Sequence, residues 1–349
     1  MGGMEENLLG NTKPVEGNFE IGHFRPEDAE GIVGLFHDVY GEHYPIRLFY
    51  DPRALIAANE NGEYYSIVAR TATGGIIGVE HLFRSAPFPS VYEAGVGLVR
   101  KEYRNAGVNN RMMEYLYNEF VPKNDRIEEV FGEAVCNHVF TQKAITRFGH
   151  VEMAMEIALM PAAAYAREKS AAGRVATLNG FRCYRPKPHR IHIPAVYERQ
   201  LRRLYSRLDD MREIKISEGN APAGQVSHIV MERFDFARVA RLAVHEIGED
   251  FRNAVTDMEM RAVSGNAVVL QAWFDMTIPW IGSAVDTLRE KGYFFGGALP
   301  RWFGGDGLLM QKLLCPPDFD GIVLESAAAH ELLNMIRLDW ERTETARVR

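Results

Sequence analysis

Residues 97–110 read GLVRKEYRNAGVNN. An apolar pair closes a strand, a loop of Arg, Asn, Ala and Gly follows, and Val108 begins a helix. The helix is marked by the apolar stripe Val108, Met112, Leu116 and Phe120. The first backbone N–H groups of a helix have no intrahelical acceptor, and the helix dipole adds partial positive charge there. Gly107 lets the backbone approach a bulky anion, and Arg104 brings a full charge. Together they make a seat for a pyrophosphate group.

Upstream, FEIGHF alternates as a short strand from Phe19. Pro26-Glu27-Asp28 then opens an amphipathic helix carrying Ile32, Leu35, Phe36 and Val39. Residues 64–70 (YYSIVAR) and 76–83 (IIGVEHLF) read as strands joined by a turn at Thr73-Gly74-Gly75, and 92–99 (YEAGVGLV) as a further strand. Downstream, Pro122-Lys123-Asn124-Asp125 ends the helix. Residues 127–135 form a strand, 137–148 a helix stopped by Gly149, and 151–159 a long apolar strand closed by Pro161. This order predicts an α+β domain over 19–160, a mixed, mostly antiparallel sheet flanked by helices. Residues 1–18 and 341–349 read as tails.

Residues 161–221 read as a linker. AAAYAREKSAAGR is helical, RCYRPKPHRIHIP is extended, and AVYERQLRRLYSRLDD is an amphipathic helix with Val196, Leu201, Leu204 and Leu208 on one side. Its arginines fit a solvated face with ion pairs or an anion-contacting surface. Residues 222–340 look like a shortened second copy, a smaller α+β domain. Laying MERFDFARVARLAVHEI over FRPEDAEGIVGLFHDV places Ala237 on Ala29. Laying LREKGYFFGGALP over ITRFGHVEMAMEI places Gly292 on Gly149. On that overlay the second copy lacks the hairpin, the 92–99 strand and its loop. GYFFGGALPRWFGGDGLLMQKL reads as a β-hairpin turning at Gly304-Gly305-Asp306-Gly307, because no helix and no Lys-Ser/Thr pair follow its first glycines.

Composition sets outer bounds. Of 349 residues, 46% are hydrophobic and 25% charged, which excludes a disordered or collagen-like chain. A net charge of −7 argues against a nucleic-acid partner. No run approaches the ~20 apolar residues that span a bilayer, and MGGMEENLLGNTKP has no leader pattern, so a cytoplasmic protein without a membrane partner is expected. Cys136, Cys183 and Cys315 show no metal-ligand spacing, and no metal is expected.

RNAGVN follows the pattern R-x-x-G-x-[GA] except at its last position, on a strand-loop-helix junction preceded by a Glu-containing strand. On these residues the chain resembles the GNAT N-acetyltransferase superfamily over residues 19–160. The second half resembles the degenerate lobe of tandem GNAT-like proteins. The resemblance implies acetyl-coenzyme A (acetyl-CoA) as co-substrate and an amine of a small molecule or peptide as acceptor, attacking the thioester directly. Leu98 and Val99 would contact the pantetheine arm through the backbone, and Arg104, Asn105, Ala106, Gly107, Val108 and Asn109 would cradle the pyrophosphate. A bulge in the strand would aim the Val99 N–H at the thioester oxygen. Tyr40, His43 and Tyr44 would lie on the acceptor side. The second lobe would wall that site or form a homodimer face. Asn109 departs from the pattern, and Ile145 stands where many members carry a proton-donating tyrosine.

Acyl transfer to an amine needs a proton acceptor and a stabilised leaving thiolate. Glu93 is the best-placed carboxylate, because alternation puts Glu93, Gly95, Gly97 and Val99 on one face. Glu80 and His81 are adjacent candidates of which only one faces the slot, and Glu80 is assigned to substrate binding. His138, after the Cys136 strand, has the titration range for either role. Each also has a plain structural reading: strand surface, helix terminus or core. A non-catalytic acyl-CoA sensor or scaffold is the alternative, favoured by Ile145 and opposed by the intact loop.

Overall fold

The computed structural model describes residues 18–162, 173–208 and 210–347. The helix expected from AAAYAREKSAAGR lies outside the described residues. The chain divides into two compact units, Met1–Arg84 with Glu93–Asp125, and Ser85–Tyr92 with Arg126–Arg349.

The first unit holds an antiparallel sheet in the order β1 (Phe19–His23), β2 (Tyr64–Thr71), β3 (Ile76–Phe83), β4 (Val91–Val99). Between β1 and β2 run α1 (Ala29–Tyr40) and α2 (Pro52–Asn61). Ile32, Leu35 and Phe36 of α1 are buried in one cluster with Phe49, Leu55, Val68 and Val79. The sequence reading passed over α2. Its start is nonetheless encoded locally: the Asp51 side chain accepts from the N–H of Arg53 at 2.9 Å and of Ala54 at 3.2 Å, with Pro52 at the first helical position. A Cβ on Gly31 would lie 2.3 Å from Ile76 Cγ1, so glycine allows α1 to rest on β3. A buried ion pair joins Asp28 to Arg70, whose Nη2 also donates to the His23 carbonyl at 2.8 Å.

After β4 comes α3 (Val108–Tyr115), continued by a π-helical turn over Leu116–Phe120 and by α4 (Val121–Lys123). The helix therefore runs past Pro122. The widened turn just before it accommodates a residue with no N–H to donate. Val108, Met112 and Leu116 are fully buried, as the stripe predicts.

In the second unit β5 (Glu129–Val135), α5 (Phe140–Arg147), β6 (Val151–Pro161) and β7 (Arg174–Cys183) form an antiparallel group in the order β5-β7-β6. Residues 174–183 are thus a central strand and not a linker. β8 (His189–Ile193) and β9 (Arg212–Ile216) pair in parallel around α6 (Glu198–Tyr205). Leu201 and Leu204 are buried, whereas Val196 is exposed. Much of the basic run is engaged in pairs: Arg190–Glu213 at 2.8 Å, Arg202–Glu198 at 2.7 Å and Arg203–Glu331 at 2.8 Å.

From β10 (His228–Phe234) the chain continues through β11 (Val239–Glu246), α7 (Phe251–Ser264), β12 (Val269–Asp275), α8 (Ile281–Glu290), β13 (Phe294–Leu299), β14 (Gly307–Leu313) and α9 (Ala327–Arg347). The sheet order here is β13-β14-β12-β11-β10, with only β11 and β12 parallel. This element order repeats that of β3, β4, α3, β5, α5, β6 and β7, and in both runs the last strand inserts between the two before it. The overlay of Ala237 on Ala29 is corrected: Ala29 begins α1, while Ala237 lies in the β10–β11 turn. Ala240, Leu242 and Val244 are buried at every second position, the period of a strand. The second run therefore has counterparts of β4 and α3, and lacks those of β1, α1, α2 and β2. The overlay of Gly292 on Gly149 agrees with the structure. Both glycines take positive φ, 79° and 87°, after a helix, and the next N–H reaches back to Ile145 or Leu288 at 3.2 and 2.9 Å. The expected hairpin is β13–β14. The sheet is mixed and mostly antiparallel, with flanking helices.

Candidate functional site

The site is built on an irregularity in β4. Its register with β3 pairs Glu93 with Phe83 and Gly95 with His81, then Leu98 with Val79 and Val99 with Gly78. Glu80 therefore faces both Val96 and Gly97, a β-bulge. Val96 takes φ 58°, a region disfavoured for a β-branched residue. The bulge expected in this strand lies at Val96-Gly97, a position that register between two strands sets and one strand's sequence does not. Arg100 N donates to the Ile77 carbonyl at 2.9 Å, so alternation points the Val99 N–H away from β3.

Beyond β4 the loop descends to Gly107, at φ 75° just before α3. No side chain caps α3. Among the described residues, no acceptor meets the N–H groups of Gly107, Val108, Asn109 and Asn110. A Cβ built on Gly107 would meet nothing within 4 Å, so the approach is open. Arg104 and Asn105 are exposed, Ala106 is half-buried and Leu98 is buried. Arg104 Nε donates to the Val99 carbonyl at 3.3 Å, which holds the guanidinium stem along the loop. Asn109 turns its amide toward Met113 Sδ at 3.6 Å and does not cap the helix. Val108 anchors this end: a Cβ on Gly78 would lie 3.0 Å from Val108 Cγ1.

On the other face, Glu93 is half-buried beside Phe83: a Cβ on Gly95 would lie 3.8 Å from Glu93 Oε1 and 3.7 Å from Phe83 Cε1. Tyr64 stacks on Phe83 at 5.4 Å, and Tyr40 lies 4.8 Å from Tyr44. Burial, then Tyr40, Tyr64 and Glu93, push the Tyr44 hydroxyl above its usual range. Burial, then Glu63 and Glu93, push Tyr64 up to about 12. The structure thus brings Glu93 and Tyr44 together, with Tyr40 against Tyr44. Tyr64 and Phe83, missed from sequence, face each other across the β2–β3 hairpin, whose register the Thr73-Gly74-Gly75 turn would have supplied.

Glu80 and His81 point to opposite faces. His81 Nδ1 lies 2.9 Å from Ser66 Oγ, and burial lowers its titration to about 3. It is a core histidine among aromatic rings, 4.8 Å from Phe49. Glu80 is only 7% exposed and turns away from the tyrosines toward the bulge, where a Cβ on Gly97 would lie 2.0 Å from its Oε2. Burial pushes its carboxyl up to about 8.

In the second unit, His138 lies in the turn before α5. Its carbonyl accepts from Gln142 Nε2 at 3.0 Å, and its Nδ1 is buried without a partner. Ile145 is buried against Gly180, where a Cβ would lie 3.0 Å from its Cδ1. Burial pushes the Cys136 thiol up to about 12, which suits packing and not nucleophilic attack. The start of α7, the counterpart of the α3 entrance, is closed. Ser227 N donates to Asp250 Oδ1 at 2.8 Å, Gly248 N to Ser227 Oγ at 2.9 Å and Glu249 N to the Gln225 carbonyl at 3.1 Å. A Cβ on Gly248 would lie 2.2 Å from Gln225 O. The Asp250 carboxylate and that of Glu249, which accepts from Gly224 N at 3.0 Å, stand at this entrance together with the backbone strap through Gln225.

Among the described residues no group of three or more His, Cys, Asp or Glu side chains is arranged to hold a metal, and no helix is long and apolar enough to cross a membrane. No family model matches the chain, and no curated protein matches it. Among solved structures it is similar to a ribosomal-protein-S5-alanine acetyltransferase from Vibrio fischeri, at 13% identity and a TM-score of 0.38 over 48% of this chain and 93% of that one. It is also similar to an N-acetyltransferase from Staphylococcus aureus Mu50, at 13% identity and a TM-score of 0.38 over 48% of this chain and 99% of that one. A spermidine N-acetyltransferase mutant from Vibrio cholerae matches at 11% identity and a TM-score of 0.35, over 48% of this chain and 94% of that one.

Proposed function

We propose that this chain is an acetyl-CoA-dependent N-acetyltransferase. One observation carries the reading: the N–H groups at the start of α3 have no acceptor of their own and open to solvent beside Arg104. The pyrophosphate is held by Arg104, Asn105, Ala106, Gly107, Val108 and Asn109. The pantetheine arm lies along Leu98 and Val99, and the Val99 N–H, directed away from β3, stabilises the thioester oxygen. Glu93 takes the proton of the attacking amine. Tyr40, Tyr44 and Tyr64 supply aromatic faces next to that carboxylate, which suits an acceptor bearing positive charge. The residues from β10 onward form a degenerate lobe whose closed α7 entrance takes no coenzyme. That lobe serves as a homodimer face.

Calorimetric titration with acetyl-CoA, followed by thiol release with a panel of amines, tests the proposal. Saturable binding and amine-dependent release are expected. Binding without release for any amine would leave a non-catalytic module, and no binding would end the reading. Gly107→Glu places bulk and negative charge in the anion seat, and binding should vanish while circular dichroism stays unchanged and Tm falls slightly, because φ 75° strains any side chain there. Unchanged affinity would put the seat elsewhere.

A further inference from the structure

We propose that Glu80 is the acid of the reaction: as the amine nitrogen attacks the thioester carbonyl, the Glu80 carboxyl passes its proton to the departing sulfur. This rests on the acetyltransferase reading above. In that step the N–C bond forms and the C–S bond breaks. The sulfur takes the Glu80 proton, and the proton shed by nitrogen goes to Glu93. Water then returns a proton to Glu80 and removes one from Glu93.

Two observations place the acid here. Glu80 is the β3 residue opposite the bulge, so its carboxyl lies at the irregularity that adjoins the pantetheine path at Leu98 and Val99. Gly97 separates that carboxyl from solvent with no side chain: Gly97 is exposed, and a Cβ there would collide with Oε2 at 2.0 Å.

The protonation state agrees with the role. Burial alone shifts the carboxyl, which titrates at about 8 and carries its proton at neutral pH. Around it, β2 presents Ile67 in register and β4 presents Gly97; α3 places Val108 and Met112 on this face beside Gly78. None of these titrates, and His81 points to the opposite face.

Glu80→Gln is the test, because a neutral amide replaces a neutral acid of the same shape. The affinity for acetyl-CoA should stay within about two-fold, while kcat falls by about 100-fold. In the unchanged protein kcat should decline as pH rises through about 8, and the variant should lack that limb. A variant with kcat within about three-fold of the parent, or with the same alkaline limb, would overturn the proposal. Carbon-13 NMR of labelled glutamate gives a readout independent of turnover: a carboxyl titrating above neutrality that is absent from Glu80→Gln is expected, whereas the buried Glu129, also shifted upward, persists in the variant. Titration in the ordinary carboxylate range would also overturn it. If the unchanged chain does not bind acetyl-CoA, the site reading itself fails; binding and turnover indifferent to Glu80→Gln remove the acid alone.

Discussion

A carboxyl kept out of water shapes stability as well as chemistry. Glu80 titrates near 8 in the fold and in the ordinary carboxylate range when unfolded. Its protonated form is the one the fold accommodates. That contribution is fully present below the unfolded value and is lost as pH rises through about 8. Glu80→Gln removes the dependence. Urea unfolding at pH 5 and pH 9 should show the parent losing more stability than the variant over that interval; equal losses would mean that Glu80 is hydrated. Sequence alone reaches this residue as a candidate, one of an adjacent pair of which a single member can face the slot. Strand alternation shows that Glu80 and His81 diverge. Which of them meets the bulge depends on where β4 slips against β3, and the strained Val96 that marks the slip has nothing unusual about it as a letter in the chain.

Elements with local cues were legible. The β2–β3 hairpin, the β4-loop-α3 junction and the Gly149 stop all follow from turn residues or spacing. Elements defined by distant partners were not. β7 carries Thr177 and Asn179, which look like linker residues. They are buried because the strand is central, and Asn179 Nδ2 donates to Glu156 Oε1 on β6 at 3.1 Å. Asp28 and Arg70 carry no local cue to each other, 42 residues apart, yet their side chains are 4% and 5% exposed and tie the start of α1 to β2. Removing one partner strands a buried charge, so Arg70→Met should cost about 3–5 kcal/mol in urea unfolding. Asp28→Leu combined with Arg70→Met should recover most of that loss. A double variant as unstable as the single one would mean that the pair is worth more than its burial costs.

At the scale of the whole molecule, the repeated element order offers two helix entrances, and only one is open. Sequence matching found the repeat where a glycine ends a helix, at Gly149 and Gly292, and misplaced it where a strand resembled a helix, at Ala237. Sheet order was needed to show which elements recur. Because Ser227, Gln225 and the two carboxylates close the start of α7, acetyl-CoA should bind with a stoichiometry of one per chain, and Arg104→Ala should weaken that single isotherm. Two equivalents would mean that the second entrance opens.

β13 meets β6 through the single pair Gly297–Ala154, and a Cβ on Gly297, at φ 126°, would lie 2.3 Å from Met153 O and 2.4 Å from Ala154 Cα. Two runs of sheet are thus stitched at a point where the backbones touch with nothing between them. Any other amino acid at position 297 acts as a wedge driven into the seam, so the continuity of the second unit's sheet hangs on one missing methyl group.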